Sequence, residues 1–346
     1  MGDVFTGKNI LVTGGSGSVG RELVLELLKH KPKVIRVFDN NETELFNLQE
    51  ELSRQKQMRY LIGDIRDKGR LEMALRNIDF VFHTAALKHV YICEYSPFEA
   101  VKTNIIGLQN LVEAAIDQNV ERVMFTSSDK AVNPSNVMGT SKLMGEKLIV
   151  AANTYTGKHR TRFSCARFGN VLGSKGSIVP LVKEQIKKGG PVTITDPKMT
   201  RFVMSSDQSI RLLLRAMEMM IGGEIFILKM PSVRIMDMIN IFIEEMAPQF
   251  GYNPKKIKIK NIGIKPGEKF YEELMTDVES SRSVETKDMF VVLPFFTDSD
   301  LLHPSYYSKY LKLKKPSLKS YNSRDIKQLS KAGTKRLLIK ENMLKV

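Results

Sequence analysis

The fold is indicated near the N-terminus, where residues 10–20 read ILVTGGSGSVG. The first four residues are apolar or β-branched, which predicts a short strand buried in a parallel sheet. The glycines that follow predict a tight turn, and Arg21 to His30 continue with leucines at helical spacing. A turn without Cβ atoms lets backbone amides approach a pyrophosphate at the start of a helix. The motif therefore predicts a dinucleotide-binding loop, with contacts from Gly14, Gly17, Ser18, Val19 and Gly20.

Two aspartates follow the next predicted strands. Asp39 ends the second strand, nineteen residues after Gly20, where a carboxylate is expected to hold the ribose hydroxyls of the adenosine. Asp64 ends the third strand and is predicted to face the adenine. Because a carboxylate repels a 2′-phosphate, Asp39 favours NAD over NADP, while Arg21 and Arg36 keep NADP open as an alternative.

Further strands and helices alternate along the first half of the chain. Short apolar runs at 60–62, 80–82 and 123–125 are separated by helical stretches. This order predicts an α/β fold, a Rossmann-type doubly wound parallel sheet. After Phe168 glycines interrupt the pattern, which predicts a smaller C-terminal substrate-binding lobe. The expected division is a cofactor domain over 1–170, a mainly substrate-binding lobe over 171–300 with some segments returning to the first domain, and a basic tail over 301–346.

The composition narrows the functional classes. The chain has 346 residues, of which 42% are hydrophobic and 26% charged, which is typical of a globular protein. No apolar run approaches the ~20 residues that span a bilayer, so no membrane span is expected. The first residues lack a secretory pattern, and the two cysteines, Cys93 and Cys165, belong to no metal-binding cluster. A cytoplasmic protein without a metal site or disulfide framework is expected.

The net charge of +15 is concentrated near the C-terminus. From Leu301 onward there are twelve Lys or Arg residues and two acids, Asp325 and Glu341. A basic segment can bind nucleic acid, but no aromatic interleaving or nucleic-acid module accompanies it here. We expect a solvated, partly helical tail that is dispensable for chemistry, so that a chain ending near Lys315 would keep its activity.

Polar residues cluster where the fifth strand is predicted to end. Residues 127–130 read SSDK, at the sheet edge where open α/β folds bind ligands. Met138 and Lys142 follow on the next helix with i, i+4 spacing, so they share one face. Short-chain dehydrogenase/reductases hold Tyr-x-x-x-Lys in this slot, with tyrosine as acid/base and lysine on the nicotinamide ribose. A methionine there leaves both core packing and a catalytic variant open.

Several blocks together resemble one family, the UDP-N-acetylglucosamine 4,6-dehydratases of glycan biosynthesis. The similarity covers about Phe5 to Phe296. Its blocks are SSDKAVNPSNVMGTSK at 127–142, AALKHV at 85–90, EYSP at 94–97, RFGNV at 167–171, TDPKMTRF at 195–202 and KPGEK at 265–269. Two residues depart from the usual pattern: Met138 stands where many members keep tyrosine, and Lys265 stands where arginine is usual.

The resemblance implies a reaction in which the sugar C4 is oxidised, water is lost across C5 and C6, and the hydride returns to C6. Asp129 is then the acid at C6, and Lys130 is the base at C5, with a pKa expected to be lowered by burial. Without a tyrosine, the C4 hydroxyl proton passes to Asp129, Ser128 or a water. Lys142 fixes the ribose.

The resemblance also implies binding residues and partners. Further cofactor contacts are Ile65, Ala85, Ala86 and Lys88. The UDP-sugar contacts are Lys88, His89, Asn170, Arg201, Lys265 and Glu268, with Arg201 expected on the pyrophosphate. A homo-oligomer and inversion at C5 are expected. Two alternatives stay open: a nucleotide-sugar 4-epimerase, which shares the ketone intermediate, and a non-catalytic NAD(P)-sensing regulator, which Met138 would suit.

Overall fold

A long, mostly parallel sheet forms the centre of the computed structural model, which describes residues 3–174, 176–295 and 307–345. In spatial order its strands are β14 (Ser283–Glu285), β15 (Met289–Val292), β10 (Ile225–Leu228), β6 (Arg162–Phe168), β5 (Arg122–Ser128), β4 (Phe80–His83), β1 (Asn9–Thr13), β2 (Val34–Asp39) and β3 (Met58–Ile62). The strands from β3 to β10 run parallel, and β15 and β14 add antiparallel edges. The order 3-2-1-4-5-6 is that of a Rossmann fold, so the predicted fold class is confirmed.

Helices cover the sheet and connect its strands. They are α1 (Ser18–Lys29), α2 (Glu42–Glu51), α3 (Lys68–Leu75), α4 (Val90–Tyr95), α5 (Pro97–Ala100), α6 (Gly107–Asp117), α7 (Val137–Ala152) and α9 (Ser206–Met219), with a π-helical turn at Val101–Ile106. The helix α1 buries Leu23, Val24 and Leu27, as its leucine spacing predicts. Asn136 caps α7 by accepting a hydrogen bond from the Gly139 amide.

A second hydrophobic core lies in the C-terminal half. Its elements are β7 (Asn170–Val171), α8 (Ile178–Lys187), β8 (Val192–Ile194), β9 (Thr200–Met204), β11 (Ser232–Arg234), α10 (Ile235–Met246) and β12 (Ile259–Asn261). The strands form two small sheets, β11-β9-β7 and β12-β8. Residues such as Val182, Ile239 and Phe242 fill the space between them and the helices. The chain returns to the main sheet with β10, β14 and β15, and the proposed domain limits remain a prediction.

A buried arginine joins the main sheet to the segment that follows the second core. Arg167 on β6 is 1% exposed, and its guanidinium donates to the Glu146 carboxylate on α7 at 2.6 and 2.7 Å. It also donates to Glu279 on α11 (Asp277–Ser281) and to the Leu274 carbonyl on β13 (Glu273–Met275). The two carboxylates raise the pKa of Arg167 despite its burial, so the cation persists and joins β6 to three other elements.

Residues 307–345 are integrated into both cores, which corrects the expectation of a solvated tail. They form α12 (Ser308–Leu311), β16 (Tyr321–Asn322) and α13 (Lys331–Lys340). The strand β16 pairs with β13, and Tyr310 is buried in the main core. Leu338 and Leu344 are buried in the second core. The many lysines and arginines of this segment predict an exposed surface, so these apolar contacts could not be predicted from its composition.

Part of the basic charge of this segment is paired with acids on α10. Lys331 Nζ lies 2.5 Å from a Glu244 oxygen, and Lys335 Nζ lies 2.7 Å from a Glu245 oxygen. The helix α13 therefore contacts α10 through both charged and apolar residues. Of the helices in the described ranges, none has the length and apolar character that a bilayer crossing requires.

Replacing Leu338 tests whether this segment stabilises the fold. We expect Leu338→Ala to lower the free energy of unfolding by about 2–5 kcal/mol, because the side chain is 1% exposed and its loss leaves a cavity. The neighbouring Ile339→Ala is the matched control, since Ile339 is 54% exposed and should cost less than about 1 kcal/mol. Urea unfolding measures both. Equal unfolding curves for the two variants would contradict the packing described here.

Candidate active site

The glycine-rich loop is shaped by close backbone contacts. Gly14 has a φ of 66°, and a Cβ placed there would lie 2.6 Å from the Ala85 amide nitrogen. A Cβ on Gly20 would overlap the Gly14 carbonyl oxygen. Gly17 occupies the N-cap of α1 and has no side chain to cap the first-turn amides. The loop thus presents backbone N–H groups at a helix start, an arrangement suited to an anionic ligand.

Both predicted aspartates lie at the cleft that adjoins this loop. The Asp39 carboxylate accepts hydrogen bonds from the Ser16 amide at 3.0 Å and the Asn41 amide at 3.1 Å, which fixes its orientation. Asp64 forms a hydrogen-bonded ion pair with Arg66. The hydrogen bond from Arg66 lowers the pKa of Asp64 despite its partial burial. Both carboxylates therefore line the cleft in orientations that hydrogen bonds fix.

A cleft of about 640 Å³ runs from the glycine loop to the end of β5. It brings together every residue predicted to contact the cofactor, namely Gly14, Gly17, Ser18, Val19, Gly20, Asp39, Asp64, Ile65, Ala85, Ala86, Lys88 and Lys142. The predicted catalytic residues Ser128, Asp129, Lys130 and Met138 also line it. Residues separated by more than a hundred positions in sequence thus share one site.

The predicted sugar-contact residues divide into two groups. Lys88, His89 and Asn170 line the cleft, whereas Arg201, Lys265 and Glu268 are not among its lining residues. Lys265 donates its backbone amide to a Glu268 carboxylate oxygen at 3.1 Å, in a loop that contacts the start of α7 through the Gly267 carbonyl.

Arg201 is engaged with backbone carbonyls of the segment that follows this loop. Its guanidinium donates to the Lys269 and Phe270 carbonyl oxygens at 2.8 and 3.2 Å, and to Thr200 of its own strand. In this arrangement Arg201 stabilises the path of the chain toward Glu272. Its expected role on a pyrophosphate remains a prediction.

Lys142 is buried beside the end of β5. Its Nζ donates to the Thr126 carbonyl at 3.0 Å and lies 4.7 Å from the centre of the Phe125 ring. Burial lowers the pKa of Lys142 to about 8. His83 lies nearby on β4 and shares a hydrogen bond of 2.6 Å with the Thr13 hydroxyl. Burial, and then the charge of Lys142, lower the pKa of His83 to about 3, so its ring is neutral.

Met138 packs in a small apolar cluster while one side of it borders the cleft. It is 3% exposed and its cluster contains Cys93 and Ala100, with Leu87 and Val90 against them. These neighbours explain an apolar side chain in the tyrosine slot. A methionine side chain carries no proton, so the titratable groups at this end of the cleft are those at the end of β5.

Three charged groups meet at the turn after β5. Lys130 Nζ donates to Asp129 Oδ1 at 2.9 Å and lies 3.6 Å from Glu272 Oε1. The Ser128 hydroxyl donates to the same Asp129 oxygen at 2.9 Å. Within the described ranges, Asp129 Oδ2, Glu272 Oε2 and the Ser127 hydroxyl are buried without a hydrogen-bond partner. Unsatisfied buried oxygens are costly, and those of Ser127 and Asp129 belong to residues that line the cleft, where a ligand can complete the bonding.

The pKa of Lys130 differs from the expected direction. Burial acts to lower the pKa of Lys130, but the Asp129 and Glu272 carboxylates outweigh it, and the net pKa is raised. The expected lowering of the Lys130 pKa by burial is therefore wrong, because the adjacent Asp129 carboxylate, and then the sequence-distant Glu272 carboxylate, outweigh the effect of burial. Lys130 is a paired cation before any ligand binds.

Glu272 is the residue that the sequence analysis missed. It is 3% exposed, and burial raises the pKa of Glu272 against the attraction of Lys130. Its backbone is held by Ser323, which accepts from the Glu272 amide at 3.0 Å and donates its own amide to the Glu272 carbonyl at 2.8 Å. In the sequence, Glu272 and Glu273 look alike, and no local signal distinguishes the buried one.

A family model described as "Polysaccharide biosynthesis protein" matches residues 10–294. The chain belongs to this family. Another member, a UDP-N-acetylglucosamine 4,6-dehydratase (inverting) of Campylobacter jejuni, is 42% identical, and the alignment covers 84% of each chain. The resemblance inferred from the motifs is thereby confirmed.

Other relatives carry different names. An uncharacterized membrane protein of Methanocaldococcus jannaschii is 54% identical over 98% of this chain and 97% of its own. A UDP-glucose 4-epimerase of Rickettsia akari is 36% identical over 97% of this chain and 96% of its own. The family similarity thus spans both dehydratases and epimerases of nucleotide sugars.

Two solved structures show the extent of the structural similarity. The X-ray structure of Pen from Bacillus thuringiensis has a TM-score of 0.91 and 44% identity, covering 99% of this chain and 100% of its own. The structure of DesIV, a dTDP-glucose 4,6-dehydratase from Streptomyces venezuelae with NAD and TYD bound, has a TM-score of 0.67 at 21% identity, covering 76% and 86%. The second likeness shows the fold.

Among the described residues, no group of three or more His, Cys, Asp or Glu side chains is placed to hold a metal ion.

The buried His83 predicts a specific pH dependence of stability. Its pKa is about 3 in the folded protein and 6.5 when exposed. Between pH 6.5 and the folded pKa only the unfolded chain binds a proton at this histidine. The free energy of unfolding therefore falls with the pH over this range, by up to about 1.4 kcal/mol per pH unit. His83→Gln should therefore show a shallower loss of unfolding free energy on acidification than the parent protein, in urea titrations. The exposed His159→Gln is the control and should track the parent, and parallel curves for His83→Gln would rule out a buried neutral ring.

Proposed function

We propose that this protein is an NAD-dependent dehydratase that converts UDP-N-acetylglucosamine to a UDP-4-keto-6-deoxy-N-acetylhexosamine, with inversion at C5. The observation that carries the proposal is the adjacent Asp129 and Lys130 at the carboxyl end of β5, in the cleft that also contains Lys142. An acid and a base side by side are what the loss of water across two neighbouring carbons requires.

The residues of the cleft fit a dinucleotide. The close contacts at Gly14 and Gly20 allow the pyrophosphate to approach the start of α1, and Asp39 would hold the adenosine ribose. Lys142 would hold the nicotinamide ribose, with Asp64 near the adenine. Asp39 favours NAD over NADP. When bound, the cofactor supplies hydride acceptance from the sugar C4 and hydride return at C6.

Ser128 and Asp129 are proposed to handle the protons at C4 and C6. The Ser128 hydroxyl donates to Asp129 Oδ1, so a proton leaving the C4 hydroxyl can pass through the serine to the carboxylate. Asp129 is then the acid that protonates the C6 hydroxyl as it leaves as water. One carboxylate thereby replaces the missing tyrosine and completes the elimination.

Lys130 is proposed to remove the C5 proton. A lysine acts as a base only when it is neutral, and here Asp129 helps to hold Lys130 charged. When Asp129 accepts the C4 proton it loses its charge, so one of the two groups that stabilise the ammonium disappears. Oxidation at C4 would therefore prepare Lys130 for proton abstraction at C5, which the new ketone has made acidic.

The remaining contacts and partners follow from the same placement. Lys88, His89 and Asn170 are proposed to bind the UDP-sugar, joined on ligand binding by Arg201, Lys265 and Glu268. Exposed aromatic side chains on α4 and α5, including Tyr95 at 84% and Phe98 at 79%, support a homo-oligomer. A cytoplasmic location is proposed, since Cys93 and Cys165 are both free and buried.

A nucleotide-sugar 4-epimerase is the second candidate, favoured by the similarity to the Rickettsia akari epimerase. An epimerase forms the same C4 ketone but has no use for an acid and a base at C5 and C6. The paired Asp129 and Lys130 therefore favour the dehydratase.

Incubation with UDP-N-acetylglucosamine and NAD tests the function. Mass spectrometry should show a product lighter by one water. In Lys130→Ala we expect C4 oxidation to persist, so that reduced nicotinamide accumulates, while water loss slows by ~100- to 10,000-fold. Asp129→Asn should lose both steps. The exposed Lys315→Ala is the matched control and should equal the parent. An isomer of unchanged mass would instead identify the epimerase, and undiminished water loss in Lys130→Ala would place the base elsewhere.

A further inference from the structure

A buried carboxylate beside the cleft residue Lys130 has no role yet in the proposed reaction. Glu272 lies behind Lys130, with its Oε1 3.6 Å from the lysine Nζ, and its other oxygen is buried without a partner among the described residues. Glu272 is not among the residues that line the cleft, and the cleft residue it pairs with is Lys130. Burying a carboxylate in this position costs desolvation free energy unless its charge or its proton interacts with a neighbouring group.

The surroundings of Glu272 keep it in place and tune its affinity for a proton. Arg201 Nε, from β9, lies 3.8 Å from Glu272 Oε1, and Asp129 shares the Lys130 ammonium from the turn after β5. Lys269 faces it from its own segment, and burial lowers the pKa of Lys269. Burial of Glu272 acts against these cations, and its net pKa is raised. The carboxylate is thus able to hold a proton that an exposed glutamate would release.

Lys130 needs such an acceptor if it is to act as a base. In the free site it is a cation paired with Asp129 and Glu272. Once Asp129 has taken the C4 proton, it cannot accept another from the lysine. With a sugar above it, the ammonium has little access to water. Glu272 is the remaining carboxylate paired with Lys130 in the described ranges.

We infer that Glu272 is a positioning residue for the elimination, which accepts the ammonium proton of Lys130 and gives it up again at the end of the cycle. This inference rests on the proposed dehydratase function. Transfer of the proton to Glu272 leaves Lys130 with a free electron pair, and that pair takes the C5 proton. The C–H electrons form the C5–C6 double bond as the C6 hydroxyl leaves with the Asp129 proton.

The protons balance over the whole cycle. The C4 hydroxyl proton leaves with the water, by way of Asp129. After hydride returns to C6, C5 regains a proton. If Lys130 supplies it, the neutral lysine recovers its own proton from Glu272. If solvent supplies it on the opposite face, the proton on Glu272 is released to solvent. Either route restores the starting state of two carboxylates and one ammonium.

Glu272→Gln removes the acceptor while it keeps the size of the side chain. Lys130 must then lose its proton to solvent before the sugar binds. We expect water loss near neutral pH to fall at least about tenfold, with reduced nicotinamide accumulating. The rate of Glu272→Gln should rise about tenfold per pH unit on the acid side of the lysine pKa, whereas the parent rate should change little over the same range. Lys130→Ala should show no such recovery.

The adjacent Glu273→Gln is the matched control. Its carboxylate accepts from the Asn133 side chain at 2.6 Å and forms no ion pair with Lys130, so the parent pH profile is expected. A second measurement needs no turnover. Amine-reactive labels attack only neutral lysines, so removing the Glu272 charge should make Lys130 in the free protein react faster, as measured by peptide mass spectrometry.

The outcomes separate this inference from the proposed function. Absence of water loss in the parent protein would reject the dehydratase, and unchanged labelling in Glu272→Gln would reject the charge contact. If the parent dehydrates the sugar and Glu272→Gln loses water at the same rate, the inference is overturned. It is also overturned if the rate of Glu272→Gln is lower by the same factor at every pH and no reduced nicotinamide accumulates. Should Glu272→Gln fail to fold, Glu272→Asp carries the test. Its shorter arm should give an intermediate pH slope, and a profile identical to the parent would overturn the proposal.

Discussion

The buried guanidinium of Arg167 is the contact on which the site geometry depends. A buried cation persists only where carboxylates pair with it, and here they come from α7 and α11. The helix α7 carries Met138 and Lys142 into the cleft. The Leu274 carbonyl, which also accepts from Arg167, lies two residues beyond Glu272. One ion cluster therefore links α7 to the segment that supplies Glu272.

The two lysines of the cleft show how position decides protonation. Lys142 is surrounded by Phe125 and a backbone carbonyl, and burial lowers its pKa to about 8. Lys130 is also shielded, yet its two carboxylate partners raise its pKa. Opposite shifts in neighbouring groups are typical of sites that divide acid and base roles. In this cleft, the proposed acid and base are in direct contact, because Lys130 Nζ lies 2.9 Å from Asp129 Oδ1.

The parts of the site that follow from local rules could be predicted from the sequence. The glycines of residues 14–20 and the spacing to Asp39 predict the loop and the carboxylate because both belong to one strand–helix–strand unit. Glu272 could not be found this way, since its burial depends on Ser323 and Arg201, which lie far away in the chain. The direction predicted for the Lys130 pKa was wrong because the adjacent Asp129, together with the distant Glu272, outweighs burial.

The C-terminal segment is a second case in which the composition of the sequence does not predict which residues are buried. Its lysines predict a solvated surface, but Leu338 and Leu344 are buried in a core that they share with α10, roughly a hundred residues earlier in the chain. Long-range packing of this kind overrides local charge patterns, because burial of a few large side chains outweighs the loss of solvation around them. The same segment holds Ser323 against Glu272, so the C-terminal residues also support the active site.

The transfer of a label from C4 of the sugar tests the central claim most directly. UDP-N-acetylglucosamine that carries deuterium at C4 is incubated with the protein and NAD in ordinary water, and the product is examined by nuclear magnetic resonance. If the site oxidises C4 and delivers the same hydride after elimination, the deuterium will appear at C6 of a product that has lost water. Deuterium found again at C4 of a sugar with all its oxygens would contradict the dehydratase account and identify an epimerase instead.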